Sequence, residues 1–151
     1  MSPGPEDLLE RRDLFANAED AFQRLIRRGV VTAFTYFGLG YIQFEFGKYE
    51  LAVESNGRAL RENPRFAAAK YNAAISYMKL GKMKKSYGAL LTIVPSDDDA
   101  EEVLEHAKED DELQQLLTES RDAYWVRNIR SLLNIAQPLS DSRARTAGPF
   151  D

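Results

Sequence analysis

The chain has 151 residues, 44% hydrophobic and 29% charged, a balance that fits one compact folded domain in water. Its formal net charge of -4 argues against nucleic-acid binding through a general basic field, and the absence of cysteine excludes disulfides, thiol catalysis and thiolate zinc sites. No apolar run approaches the ~18 residues of a membrane span, and Met1 to Glu6 lacks a basic region followed by an apolar core, so a cytoplasmic or organelle-matrix setting is expected.

Residues 1–5 carry Ser2, Pro3, Gly4 and Pro5 and are expected to fray. From Glu6, the residues Leu8, Leu9, Phe15, Ala18, Phe22, Leu25 and Ile26 fall mainly at three- and four-residue steps. Glu6 and Asp7 suit a helix start, and Arg27-Arg28 before Gly29 suit a helix end. A helical stretch over 6–29 is therefore expected, with Asp13 as the point where it can divide into a short helix and a longer one. Val30-Val31-Thr32 is a short β-branched cluster, and its place just after Gly29 makes it a linker without a strand.

The middle of the chain repeats itself. Phe46-Gly47-Lys48-Tyr49 stands 34 positions before Leu80-Gly81-Lys82-Met83, and a fixed offset of that size marks a repeat array. In the first copy, 33–64, Tyr36-x-x-Leu39-Gly40-x-x-Gln43 precedes Gly47-Lys48-Tyr49, and Ala52-x-x-x-Asn56-x-x-Ala59 leads to Pro64. Gly40 and Ala52 let two antiparallel helices approach, Gly47 supports the tight turn between them, and Pro64 stops the second. The second copy, 67–95, keeps small and apolar residues at Ala73, Ala74, Tyr77, Gly81, Ser86, Leu90 and Ile93, with Lys70 where Tyr36 stood. Pro95 comes three residues sooner than the spacing from Pro64 requires, which makes the second helix of this copy about a turn short. Counting back 34 places from the first copy sets Phe15, Ala18, Phe22 and Leu25 on Tyr49, Ala52, Asn56 and Ala59, so the N-terminal helix reads as a half-unit covering the first hairpin's flank.

After Pro95, Ser96-Asp97-Asp98-Asp99 and the spacing of Ala100, Val103, Leu104 and Ala107 predict a capped helix from about Asp98 to Lys108. The acidic run, with Glu101 and Glu102, lacks the spaced ligands and turn glycine of a calcium loop and reads as capping and solubility. Glu109-Asp110-Asp111 makes a turn or a new start. Leu113, Leu116, Leu117, Ala123, Tyr124, Ile129, Leu132, Leu133 and Ala136 then mark one long helix or two, with Trp125 among them as packing. Residues 138–151, with Ser140, Ser142, Arg143, Arg145, Gly148 and Pro149, read as a flexible tail.

The central pattern resembles the tetratricopeptide repeat: Trp-x-x-Leu-Gly-x-x-Tyr, then Ala and Phe, then a closing Pro, with Tyr36 replacing the Trp and Gln43 the Tyr. The resemblance covers about 62 residues closely and about 90 with the flanking half-units. It implies an all-α fold, a short α-solenoid of antiparallel helix hairpins. The expected organisation is a single domain over 6–137, built of a capping helix 6–29, repeats 33–64 and 67–95, and C-terminal helices 98–137. Two repeats are fewer than the ~3 usually needed to bury a continuous core, so the flanking helices are structural necessities.

The resemblance also implies a working surface. In the family, the first helices of successive repeats line a concave groove, which places Phe34, Phe37, Tyr41 and Phe44 together with Tyr71, Asn72, Ile75 and Met78, flanked by Gly38, Glu45, Ala68 and Lys79. So much aromatic surface calls for a cover. The options are a partner's helix or peptide, the chain's own helix around 124–136, or a second copy. The expected function is that of a non-enzymatic adaptor, assembly factor or structural subunit binding another protein. The carboxylate clamp of chaperone-binding relatives is not expected. Asn72 matches its central Asn, but Phe34 and Gly38 stand where Lys and Asn are needed, and the third helix offers Glu102 and His106, or Asp99 and Val103 in a shifted register.

Other chemistries have thinner support. His106 sits among Glu102, Glu105 and Glu109 on an expected helix, where carboxylates at three- and four-residue steps share its face, which defines a metal-dependent or catalytic alternative, but a solvated charged face explains it and no second histidine exists. Gly38-Leu39-Gly40 lacks the third glycine and the leading strand of a dinucleotide fingerprint. Lys79, Lys82, Lys84 and Lys85 gather at a hairpin turn as a secondary basic patch, for an acidic partner, phosphate or nucleic acid. No cofactor and no metal is expected.

Overall fold

The structure is a computed structural model that describes residues 4–134. The expected tail at 138–151, Ala136 and the first three residues lie outside the described residues. Within them the chain is all-helical: α1 (Pro5–Arg27), α2 (Ala33–Glu45), α3 (Tyr49–Glu62), α4 (Ala67–Lys79), α5 (Met83–Leu91), α6 (Ala100–Lys108), α7 (Asp111–Glu119) and α8 (Ala123–Leu132). Among the described residues there is no β-strand, only an isolated bridge between Phe66 and Asp98.

The ends of these helices follow local chemistry. Pro5 opens α1 with Glu6 and Asp7 in its first turn, and the Asp7 carboxylate accepts the Gly4 amide at 3.1 Å. Asp13 does not divide the helix, because an exposed carboxylate within a run of good helix formers costs only a few tenths of a kcal/mol. Thr32, from the β-branched linker, caps α2 by accepting the Thr35 amide at 3.2 Å. Asp110 does the same for α7 through the Leu113 amide, and Asp122 for α8 through the Trp125 amide.

The 34-residue offset is reproduced in the backbone. α2 and α4 both have 13 residues and start 34 positions apart. Each closes by the same pair of bonds: the Lys48 amide to the Gln43 carbonyl with Gly47 to Phe44, and the Lys82 amide to the Tyr77 carbonyl with Gly81 to Met78. Gly47 and Gly81 sit at φ +76° and +74°, a left-handed geometry that an L side chain resists. The second helices are less alike. α3 has 14 residues and α5 has 9, a shortening of more than the single turn expected from Pro95.

Each helix packs on its chain neighbour from α1 to α5, and α2, α4 and α6 lie side by side. α1 is fixed to the first hairpin by Phe15, whose ring stacks on Phe46 at 4.2 Å, and by Phe22, which lies over Gly38; a Cβ there would come within 2.4 Å of the ring. The first hairpin buries an apolar cluster of Tyr36, Ala59 and Phe66 against Ala69 of α4, and it also buries bonded polar groups. The buried Ser55 hydroxyl donates to Gln43 Oε1 at 2.6 Å, and Asn56 Nδ2 donates to Asn72 Oδ1 at 2.6 Å and to the Ala52 carbonyl at 2.8 Å. The second half is apolar. Leu90, 34 positions after Asn56, is buried with Tyr87, Ile93, Leu113, Leu117, Ile129 and Leu133 in a core that joins α5, α7 and α8.

The loops between hairpins are stitched at one end of the stack. Asp98 donates its amide to the Arg65 carbonyl at 2.7 Å, its carboxylate accepts Asn63 Nδ2 at 2.9 Å, and the Arg65 guanidinium donates to the Ser96 carbonyl. Beside them Lys70 takes up the acidic run. Its ammonium donates to Asp97 Oδ2 at 2.7 Å and to the Thr92 carbonyl at 2.8 Å, with side chains only 12% and 3% exposed. Burial pushes the Asp97 carboxyl up, but the bonds from Lys70 and the Val94 amide, with the charges of Lys70 and Arg65, outweigh it and hold the group below the ordinary aspartate range.

Lys70→Ala leaves Asp97 buried without its counter-ion and is expected to cost about 2–3 kcal/mol in urea denaturation at pH 7. Because the folded Asp97 value is depressed, the pair's contribution is fully present above the unfolded value of about 3.9 and is lost as pH falls through the folded one. The gap between variant and parent therefore closes below about pH 4, and a constant gap down to pH 3 would refute the assignment. Two helical glycines provide a second comparison. A Cβ at Gly40 would meet Asn56 Nδ2 at 2.5 Å and Ser55 Cβ at 3.3 Å, whereas one at Gly57 meets nothing within 4 Å. Gly40→Ala is expected to destabilise by about 2 kcal/mol and Gly57→Ala to stabilise by about 0.5–1 kcal/mol, both read from thermal melts.

Candidate functional site

Because α2, α4 and α6 run side by side, residues at three- and four-residue steps on each converge on one face. That face is an open groove of about 740 Å³. α2 supplies Phe34, Phe37, Tyr41, Phe44 and Glu45, and α4 supplies Ala68, Tyr71, Asn72, Ile75, Met78 and Lys79. The far side is made by Asp99, Glu102, Val103 and His106 of the α6 segment and by Asp110, Asp111 and Glu112 where α7 begins.

All eight residues that the repeat pattern assigns to the groove line it, although not in equal ways. Phe34 is 72% exposed and Tyr41 48%, which leaves both rings open to solvent. Phe37, Phe44, Ile75 and Met78 are half-buried. Tyr71 and Asn72 differ from the expectation of contact residues: they are 6% and 5% exposed, with the Tyr71 hydroxyl and Asn72 Oδ1 already engaged inside the protein. Asn72 Oδ1 accepts Asn56 Nδ2, and the Tyr71 hydroxyl donates to Asp110 Oδ2 at 2.5 Å. Burial first, then the bond to Asp110 and the charges of Asp110 and Glu112, push the Tyr71 phenol far above its ordinary value, so it stays a proton donor. These two residues brace the floor. Gly38 is turned to Phe22 of α1 and is not among the lining residues.

Phe66 is the feature the repeat pattern did not flag. It packs against Phe37 at 5.1 Å and edge-on to Phe34 at 5.3 Å, so it ties the aromatic side together. It lies in the connection before α4, and the positions 34 residues either side are Thr32 and Ala100, so periodicity carries no sign of it. Tyr49, against the Phe44 ring at 5.5 Å, extends the same side at its other end.

The basic patch is divided. Lys79 belongs to the groove and donates to Glu112 Oε1 at 2.6 Å, a bond that raises its ammonium above the ordinary lysine value. Lys82 and Lys84 stand exposed at the turn and start of α5, and Lys85 lies 5.8 Å from the Tyr77 ring centroid. His106 meets Tyr71 edge to face at 5.7 Å. Among the described residues no three His, Cys, Asp or Glu side chains come together as metal ligands would.

The groove is electrically lopsided. Six carboxylates line it, those of Glu45, Asp99, Glu102, Asp110, Asp111 and Glu112, against the one ammonium of Lys79. Asp110 is held by Tyr71 and the Leu113 amide, and Glu112 by Lys79. Glu45, Asp99, Glu102 and Asp111 are exposed. The chain's own last described helix does not cover this surface. α8 packs on α5, where Trp125 stacks on Tyr87 at 5.8 Å, and no α8 residue lines the groove.

No protein-family model matches the chain. It is similar to the peroxisomal targeting signal receptor of Saccharomyces cerevisiae (strain ATCC 204508 / S288c), with 30% identity over 87 residues. Those residues make up 58% of this chain and 14% of the receptor, so the likeness spans a small part of that relative.

Proposed function

We propose that this chain is a non-enzymatic protein-interaction module of the tetratricopeptide type, an adaptor, assembly factor or structural subunit that holds a helix or peptide of another protein in the α2–α4–α6 groove. The observation that carries this reading is the exposure of Phe34 and Tyr41 on a groove whose other aromatic rings are fixed by their neighbours. Rigid aromatic side chains on a preformed concave face favour binding, because little conformational freedom is lost when a partner covers them. The likeness to a receptor for a targeting signal agrees with such a role. In this reading the working unit runs from 6 to 137, α1 and the C-terminal helices cover the flanks of the two repeats, and the setting is cytoplasm or organelle matrix. No helix among the described residues is long and apolar enough to cross a membrane.

The test uses Phe34→Ala with Tyr41→Ala, both on exposed rings, in the full chain. A partner recovered from native extract by the parent protein should be lost from the double variant, with an affinity penalty of about 2 kcal/mol or more. The melting temperature should move by less than about 4 °C. Equal recovery by the folded variant would end the proposal.

A further inference from the structure

The groove's α2 side is aromatic, with Glu45 as its one carboxylate, and its α6–α7 side carries the other five; the two lie on opposite flanks of α4. Any occupant seated over α4 meets the Phe34 and Tyr41 rings on one flank and Asp99, Glu102 and Asp111 on the other. An anionic segment is repelled there, and a purely apolar one leaves those carboxylates facing hydrocarbon, which is costly for a charge. Lys79 offers no free counter-charge, since Glu112 already holds it.

We infer that the groove's occupant is a cationic amphipathic helix from a partner protein, with an apolar stripe against the α2 aromatics and Lys or Arg along the flank that faces the α6–α7 carboxylates. The inference rests on the protein-binding reading above and specifies its partner. A helix fits both flanks because residues at i, i+3, i+4 and i+7 form one stripe and the adjoining positions form another about 100° away. The chain's own candidates lack a positive excess, the first being net acidic and the second balanced. The exposed first half of α1 carries Glu6, Asp7, Glu10 and Asp13 against Arg11 and Arg12, and residues 135–151 carry Asp141 and Asp151 against Arg143 and Arg145.

Three synthetic 18-residue helical peptides test this, sharing one Leu/Phe stripe and bearing Lys/Arg, Gln or Glu at their flanking positions. Binding to the full chain is measured by fluorescence anisotropy at about 50 mM salt, near a Debye length of 10–15 Å, and again at 500 mM. The cationic peptide is expected to bind at least tenfold more tightly than the neutral one and the anionic peptide most weakly. Glu102→Gln with Asp111→Asn should remove most of that preference, bringing the cationic peptide's affinity toward that of the neutral one, and Phe34→Ala with Tyr41→Ala should weaken both by tenfold or more. Equal affinity for cationic and neutral peptides, both dependent on Phe34 and Tyr41, would overturn the charge assignment and leave the groove reading standing. Cationic binding that ignores Phe34 and Tyr41 would be surface attraction and would overturn both. Failure of the cationic peptide to bind below 1 mM (on the order of -4 kcal/mol or weaker) would also overturn the inference, as would a concentration-dependent dimer in sedimentation whose assembly the Phe34→Ala, Tyr41→Ala variant abolishes.

Discussion

Three consecutive side chains of α4 hold the molecule in register. Successive residues on a helix point about 100° apart, so Lys70, Tyr71 and Asn72 reach three different neighbours. Lys70 binds Asp97 in the connection before α6, Tyr71 binds Asp110 at the cap of α7, and Asn72 binds Asn56 in α3. Apolar contacts are non-directional and let packed helices slide by a turn at modest cost, whereas a buried hydrogen bond is lost outright on slippage. The central helix is thereby fixed against the hairpin before it and the segments after it, and the spacing of α2, α4 and α6 that defines the groove depends on that fixing.

How far the sequence disclosed this depended on which interactions are periodic. The 34-residue offset between two Gly-Lys turns placed α2 and α4 at equal length, and helical steps from Phe34 to Phe44 and from Tyr71 to Met78 put those residues on one face. What departs from the period was mostly silent, the early Pro95 and its shortened helix excepted. Lys70 occupies an aromatic position, and its reason, Asp97, lies 27 residues ahead in a connection longer than the one that follows α3. Phe66 sits between helices. Tyr71 and Asn72 share the groove stripe with Ile75 and Met78, yet a stripe does not say which of its members a neighbour has already engaged. The acidic side draws on Asp99 and Glu102 in one segment and Asp110 to Glu112 in another, brought together by the turn between α6 and α7 that the sequence left open between a turn and a new helix.

The two halves of the interior use different means. Around α2 and α3 a small apolar cluster of Tyr36, Ala59, Phe66 and Ala69 is joined by close approaches and side-chain hydrogen bonds: Gly40 against Asn56, Ser55 against Gln43, Asn56 against Asn72. Around α5, α7 and α8 the contacts are large apolar side chains. Close approach through Gly40 admits Asn56 at the hairpin's centre, and bonded polar groups discriminate between registers more sharply than hydrocarbon does. The shortened α5 breaks the repeat geometry in the C-terminal half, because α6 no longer has a full-length neighbour and α8 is recruited to α5 in its place.

α1 carries a consequence in time as well as in space. Its 23 residues nearly double the 13 of α2, and residues 5–14 are all exposed, with Phe15 the first to be buried. The overhanging ten residues have their own backbone bonds, the Asp7 contact and the Arg11 guanidinium 6.0 Å from the Phe46 ring centroid to keep them wound, and an isolated stretch of that length is marginal in water. Amide protons there exchange through local fraying, on a free-energy scale close to zero, while those of α3 and α4 wait for the whole stack to open. The same chain therefore holds a slow interior and a fast, leucine-bearing end in Leu8, Leu9 and Leu14, two clocks separated at one phenylalanine.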